Sequence, residues 1–256
     1  MSEKTVVYME TEAAYDNWAS VYDTDGNVLQ AIDDLELEKL LPKVLDLVDL
    51  KDGSKIVDFG AGTGRNTAKI QKDIGNVPNT TLYALDASSG MLEKAKERCR
   101  DVNPAVSVEF HKYDAYKLDS LPQQCQGADM LISTLVVEHL PLDVFLENLV
   151  AIIKPGGYAL ITNMHSDMGA QSQAGFVQNG VKVRPTSFPH SAQELINVAA
   201  RYGFKVHSLD DKSFLERGIS TRDLDNGLFG GWDGRGKKWI NNGMLWFGLC
   251  LRLQEN

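Results

Sequence analysis

Residues 55–65 read Lys-Ile-Val-Asp-Phe-Gly-Ala-Gly-Thr-Gly-Arg, a short apolar strand running into a glycine-rich turn and then a helix. This unit narrows the fold more than any other stretch. An apolar strand that turns tightly into a helix is the building block of a parallel sheet covered on both faces. Gly60, Gly62 and Gly64 let the backbone turn sharply and approach a ligand with no Cβ in the way. A dinucleotide turn would read G-x-G-x-x-G, but here the third glycine comes one place early and Arg65 takes its position. Asp58, just before the turn, would repel a pyrophosphate. A carboxylate there suits a cofactor that brings an amino group and a positive charge.

Further strand ends follow at regular intervals. Leu82-Tyr83-Ala84-Leu85-Asp86 reads as a second strand with an acidic end, 26 positions after Gly60. Val106 to Phe110 alternates as a third strand, followed by Tyr113-Asp114-Ala115. Ala128 to Thr134 supplies a fourth, and Lys154-Pro155-Gly156-Gly157 turns into a fifth that runs to Ile161. In this order the motifs resemble those of the class I S-adenosylmethionine-dependent methyltransferases, over about residues 50–165. The resemblance implies that Asp86 accepts hydrogen bonds from both ribose hydroxyls, that Ala87 and Met91 lie against the adenine, and that Asp114 and the Ala115 N–H read the adenine edge. It also assigns Tyr22, Asp58, Gly60, Ala61, Gly62, Thr63 and Thr134 to the cofactor. Each motif alone has a plainer reading: Asp86 as an acid at a helix N-terminus, Asp114 as a loop residue, Met91 as a core residue.

The resemblance implies a Rossmann-like, doubly wound α/β sheet of seven strands, mostly parallel with the last antiparallel. Residues 1–32 are expected to form an N-terminal helical lid, with Tyr15, Trp18, Ala19 and Tyr22 at helical spacing. Residues 33–256 form the methyltransferase domain, with 165–190 and 210–243 as insertions near the substrate side. Asp33-Asp34-Leu35-Glu36 reads as the capped, acidic start of a helix that Pro42 kinks or breaks. A β-hairpin turned by Asn179-Gly180 follows the fifth strand. Ser191-Ala192-Gln193-Glu194 is a capping box, and strands at 204–209 and 244–253 close the sheet.

The net charge of −9 disfavours a polyanionic substrate, because phosphate contacts need clustered Lys and Arg. Three scattered cysteines suggest neither a disulfide framework nor a zinc motif, and no metal is expected. No apolar run approaches a membrane span, so a cytoplasmic protein without membrane or nucleic-acid partners is expected. The sequence leaves the oligomeric state open.

The implied reaction moves a methyl group to an O, N or S atom of a small metabolite by in-line displacement. A protein of the same fold using the cofactor for another reaction or for regulation is the alternative. A Rossmann-type oxidoreductase is disfavoured by the glycine spacing and Asp58. Tyr15, Trp18, His139, His165 and Trp232 are the candidate pocket residues. His139, beyond the fourth strand, is the candidate general base, since an unperturbed imidazole titrates near neutrality. It equally suits a hydrogen-bonding role that closes the cofactor pocket. The aromatics equally suit plain packing.

Overall fold

The computed structural model describes residues 6–75, 77–225 and 236–255. Along the chain these residues form β1 (Val6–Met9), α1 (Thr11–Trp18), α2 (Val28–Val48), β2 (Lys55–Phe59), α3 (Arg65–Asp73), β3 (Thr81–Asp86), α4 (Ser89–Cys99), β4 (Ser107–Lys112) and β5 (Ala128–Thr134). After a turn of 3-10 helix at Val137–His139 come α5 (Leu142–Ile152), β6 (Ile153–Met164), α6 (Ser166–Gly169), β7 (Phe176–Gln178), β8 (Val181–Pro185), α7 (Ala192–Arg201), β9 (Phe204–His207), β10 (Leu215–Arg217), α8 (Thr221–Asp225) and β11 (Trp246–Leu253).

Strands β2 to β6 pair in parallel in the order β4-β3-β2-β5-β6. The final strand β11 inserts antiparallel beside β6, as expected. Its outer edge is shared: β9 pairs residues 250–253 and β10 pairs residues 246–248. The sheet therefore has eight strands among the described residues, one more than the seven expected. Three residues of β10 carry no periodicity a sequence reading can detect.

Both faces of the sheet are apolar. Val57, Leu131 and Ile161 point to one side, with α5 and α7; Ile56, Met130 and Leu160 point to the other, with α2. Alternation along each strand sends successive side chains to opposite faces, and both layers are dry.

Helix α2 departs from the expectation. It starts at Val28, capped by Asn27, whose side chain accepts the Leu29 N–H at 3.0 Å, and it passes through Pro42 without a break. The expected lid boundary at 32–33 thus falls inside a continuous helix. Asp33 is no N-terminal acid. It is fully buried mid-helix, where Oδ1 accepts from Thr162 Oγ1 (2.5 Å) and Trp246 Nε1 (2.9 Å), and Oδ2 pairs with Arg65 Nη2 (2.9 Å). Arg65 also holds Asp34. This cluster ties α2 to β6, β11 and the end of the glycine turn.

The hairpin β7–β8 turns at Asn179-Gly180, both with positive φ, and β8 also pairs in parallel with β1. The N-terminus thus contributes a strand to a separate three-stranded sheet, which the sequence reading did not anticipate.

Candidate functional site

The chain reaches β2 first in the middle of the sheet, works outward to β4, then crosses back to β5. The carboxyl ends of β2 and β5 therefore flank the switch point, where doubly wound sheets leave a crevice. A cavity of ≈ 420 Å³ lies there, walled by Phe59, Gly60 and Gly62 after β2, Asp86 and Ala87 after β3, and Thr134 to Val136 after β5.

The three turn glycines serve three different needs. A Cβ on Gly60 would meet Val136 Cγ2 at 2.2 Å, and one on Gly64 would meet the Ala95 backbone at 2.7 Å. Those two are packing requirements. A Cβ on Gly62 would meet no protein atom within 4 Å, and Gly62 lines the cavity with φ 55°. There the missing side chain leaves room for a ligand beside exposed backbone.

Asp86 is positioned by backbone. Its Oδ2 accepts the Gly62 N–H and its Oδ1 the Ser88 N–H, both at 2.8 Å. Burial nevertheless raises its pKa to about 6, against the lowering effect of those two bonds. Its remaining lone pairs line the cavity, ready for hydroxyl donors. Asp114, Ala115 and Tyr116 form the far wall. Burial works to raise the Asp114 pKa, but Lys117 and the Tyr116 N–H outweigh it, so the group stays ionised well into acid. Asn66 Nδ2 donates to Thr134 Oγ1 at 2.6 Å, fixing the last residue of β5. Leu135 adopts a left-handed conformation (φ 58°), a strain of about 1–3 kcal/mol of the sort that collects at ligand sites.

Other expected residues stand off this wall. Asp58 is buried behind it, accepting from Thr67 Oγ1 at 2.6 Å, and burial lifts its pKa to about 7. Thr63 donates to Asp23 at 2.8 Å, and Ala61 is a buried turn residue. Met91 is fully buried with Ala14, Trp18 and Ala19 rather than at the cavity surface. His165 bonds Glu216 at 2.9 Å and lines neither cavity described here. Trp232 lies outside the described residues.

The N-terminal segment covers the cavity through specific bonds. Asp16 accepts from Ser88 Oγ (2.5 Å) and the Gly90 N–H (2.9 Å), and Asp23 holds Arg98 (2.7 Å). Tyr15 and Tyr22 line the cavity, and Tyr15, Trp18 and Tyr22 form one ring cluster with centroids 5.0–5.9 Å apart.

His139 also lines the cavity. Its Nδ1 lies 2.9 Å from the Thr186 carbonyl, which only accepts, so Nδ1 carries the proton. Nε2 is then the acceptor for the Tyr15 hydroxyl at 2.7 Å. Burial pushes the His139 pKa down to about 4, so the ring is neutral near pH 7.

A second cavity of ≈ 330 Å³ lies on the other side of Tyr15, Tyr22 and Leu135, which line both. Trp18, Trp239, Met164 and Met168 give it apolar walls. Glu138 lines it too, 3% exposed, with Oε1 3.5 Å from His139 Nε2 and Oε2 without a hydrogen-bond partner among the described residues. Burial raises its pKa to about 8. Only its adjacency to His139 marked this residue in the sequence.

The first cavity fits S-adenosylmethionine: it has ligand-sized volume, an open position at Gly62 and a carboxylate held toward its interior. Comparison with known proteins agrees. Residues 56–157 match the family model of a methyltransferase domain. Over 95% of its length the chain is 41% identical to an uncharacterized methyltransferase of Emericella nidulans, spanning 91% of that protein. A S-adenosylmethionine-dependent methyltransferase from Aquifex aeolicus shares its fold (TM-score 0.54, 21% identity, 93% of this chain and 98% of that one). So does geranyl diphosphate C-methyltransferase from Streptomyces coelicolor A3(2) (TM-score 0.59, 13% identity, 87% and 81%), solved with S-adenosyl-L-homocysteine. The chain belongs to the class I S-adenosylmethionine-dependent methyltransferases. It is a methyltransferase enzyme, and its cofactor is S-adenosyl-L-methionine.

Proposed function

We propose that the protein methylates a heteroatom of a small metabolite in the cytoplasm, with cofactor and acceptor in adjoining chambers. The observation that carries this reading is the shared wall: Tyr15, Tyr22 and Leu135 line both cavities, so the two chambers adjoin with these side chains between them. In the first chamber Asp86 would accept the ribose hydroxyls, Asp114 and the Ala115 N–H would read the adenine edge, and Gly62 would leave room for the cofactor. The bound cofactor supplies an electrophilic methyl group on a sulfonium. The chain supplies alignment, a dry surround and a path for the acceptor's proton; alignment alone accounts for roughly 7–11 kcal/mol in such reactions.

His139 acts as a positioning residue here, because its lone pair already accepts the Tyr15 hydroxyl and fixes that ring in the partition. One further feature favours a small acceptor: the formal net charge of −9 opposes a phosphate backbone. Calorimetry with S-adenosylhomocysteine and with NAD tests the cofactor assignment: the first should bind and the second should not. Assay of the purified chain against tRNA, DNA, protein and small acceptors then tests the substrate class. Robust methylation of any of the three polymers contradicts the small-metabolite reading.

A further inference from the structure

The second chamber has a chemistry narrower than "small metabolite". Its walls carry rings and thioethers (Tyr15, Trp18, Tyr22, Met164 and Met168) together with the polar side chains of Asn27, Ser172 and Gln173. Two acids also line it. Asp25 Oδ2 accepts Trp18 Nε1 at 2.8 Å, whereas Glu138 Oε2 is buried with no hydrogen-bond partner among the described residues. An unpaired buried carboxyl costs free energy unless a ligand completes it. The adjacent imidazole does not complete it, since neutral His139 offers Glu138 no charge and its Nδ1–H is spent on Thr186. Lys238 sits at the exposed rim, where its ammonium rests 4.7 Å over the Trp239 ring.

We propose that this chamber is the acceptor site for a small organic amine with an apolar body, and that Glu138 both pairs with its ammonium and takes its proton. The inference rests on the methyltransferase reading above and names its substrate class. Electron-rich ring faces attract a cation and a buried carboxylate neutralises it, and among the described lining residues the two acids Glu138 and Asp25 outnumber the single cation Lys238 at the rim. The steps balance. The amine enters neutral and takes the proton of the buried Glu138 acid, so that the O–H bond breaks, an N–H bond forms and the ammonium lies beside the carboxylate. That N–H bond then breaks, its electron pair stays on nitrogen, and the proton returns to an O–H bond on Glu138. The freed lone pair then forms the N–C bond as the S–C bond breaks and its pair returns to sulfur.

The test uses the full chain saturated with S-adenosylhomocysteine and three matched probes, benzylamine, benzyl alcohol and benzoate, titrated by calorimetry. Benzylamine should bind at least tenfold more tightly than the alcohol, and benzoate should not bind. Glu138→Gln should weaken benzylamine at least tenfold while leaving the affinities for benzyl alcohol and S-adenosylhomocysteine within about twofold. Glu138→Leu, in which the buried polar group is gone altogether, should give the same pattern and keeps the test standing if the glutamine variant folds poorly. Benzylamine binding no better than the alcohol, or a preference that survives both substitutions, overturns the proposal. Either result with intact S-adenosylhomocysteine binding overturns the amine assignment alone; loss of S-adenosylhomocysteine binding by the wild type overturns the reading beneath it.

Discussion

The two chambers share a wall but differ in what frames them. The first is framed at the carboxyl ends of the sheet strands, by Gly60 and Gly62 after β2, Asp86 at the end of β3 and Thr134 at the end of β5, with Tyr15, Tyr22 and His139 closing it. Its key carboxylate is gripped by two main-chain N–H groups. The second is made by side chains from segments far apart in sequence, around residues 15–29, 135–138, 164–175 and 238–239. A chamber set by strand ends accepts one cofactor with little room for variation. A chamber assembled from loops and a terminal helix is free to change its ligand without disturbing the sheet.

The comparison can be broken at several points. The strongest is the Asp33 cluster, which anchors α2 beneath both chambers. Asp33→Ala would leave Arg65 without its buried partner and orphan Trp246 Nε1 and Thr162 Oγ1, a loss of about 3–5 kcal/mol. Denaturant titration should show the midpoint falling accordingly; an unchanged midpoint would mean the cluster holds nothing together.

Next comes Gly62→Val, which probes the first chamber alone. The added Cβ meets no protein atom within 4 Å at a residue that lines the cavity, though φ 55° adds strain. S-adenosylhomocysteine affinity should drop at least a hundredfold, about 2.7 kcal/mol, in a protein that still folds. Retained affinity would remove Gly62 from the cofactor site.

A pH effect singles out the side-chain-built chamber. Below about pH 4.5 Glu138 is protonated in both folded and unfolded states. Between there and about pH 8 the unfolded chain ionises while the folded one keeps the proton, so stability falls as pH rises. Each pKa unit of difference is worth about 1.4 kcal/mol. Glu138→Gln abolishes this contribution, so its melting temperature should gain on the wild type steadily from pH 5 to pH 8. A constant offset across that range would show that Glu138 is not buried and unpaired.

The same contrast explains what the sequence disclosed. The strand-end motifs carry the resemblance that assigned Gly60, Gly62, Asp86, Asp114, Ala115 and Thr134 to the cofactor, and these six line the first cavity. Asp58, Thr63 and Met91 were placed on its wall because spacing reports which end of a strand or helix a residue occupies, not which way it points. Asp58 turns back to Thr67, and Met91 faces the core under α1. Asp33 shows the same limit at longer range. Next to Asp34 and Glu36 it has the local pattern of a helix start, but its partners Thr162 and Trp246 lie 129 and 213 residues away. Nothing local encodes such a contact. The second chamber is almost wholly of this kind: Tyr15 and Trp18 were visible as aromatics at helical spacing, but Glu138 acquires its significance only once α1, β6 and the residues near Trp239 converge on it.

On the proposed function, the first chamber holds S-adenosylmethionine through Asp86. Titration calorimetry of S-adenosylhomocysteine into the wild type and Asp86→Ala tests it most directly. Removing a carboxylate that accepts hydroxyl donors should cost about 1.5–3 kcal/mol, so the variant should bind at least tenfold more weakly while keeping its fold. Equal affinity in a folded Asp86→Ala protein would contradict the account.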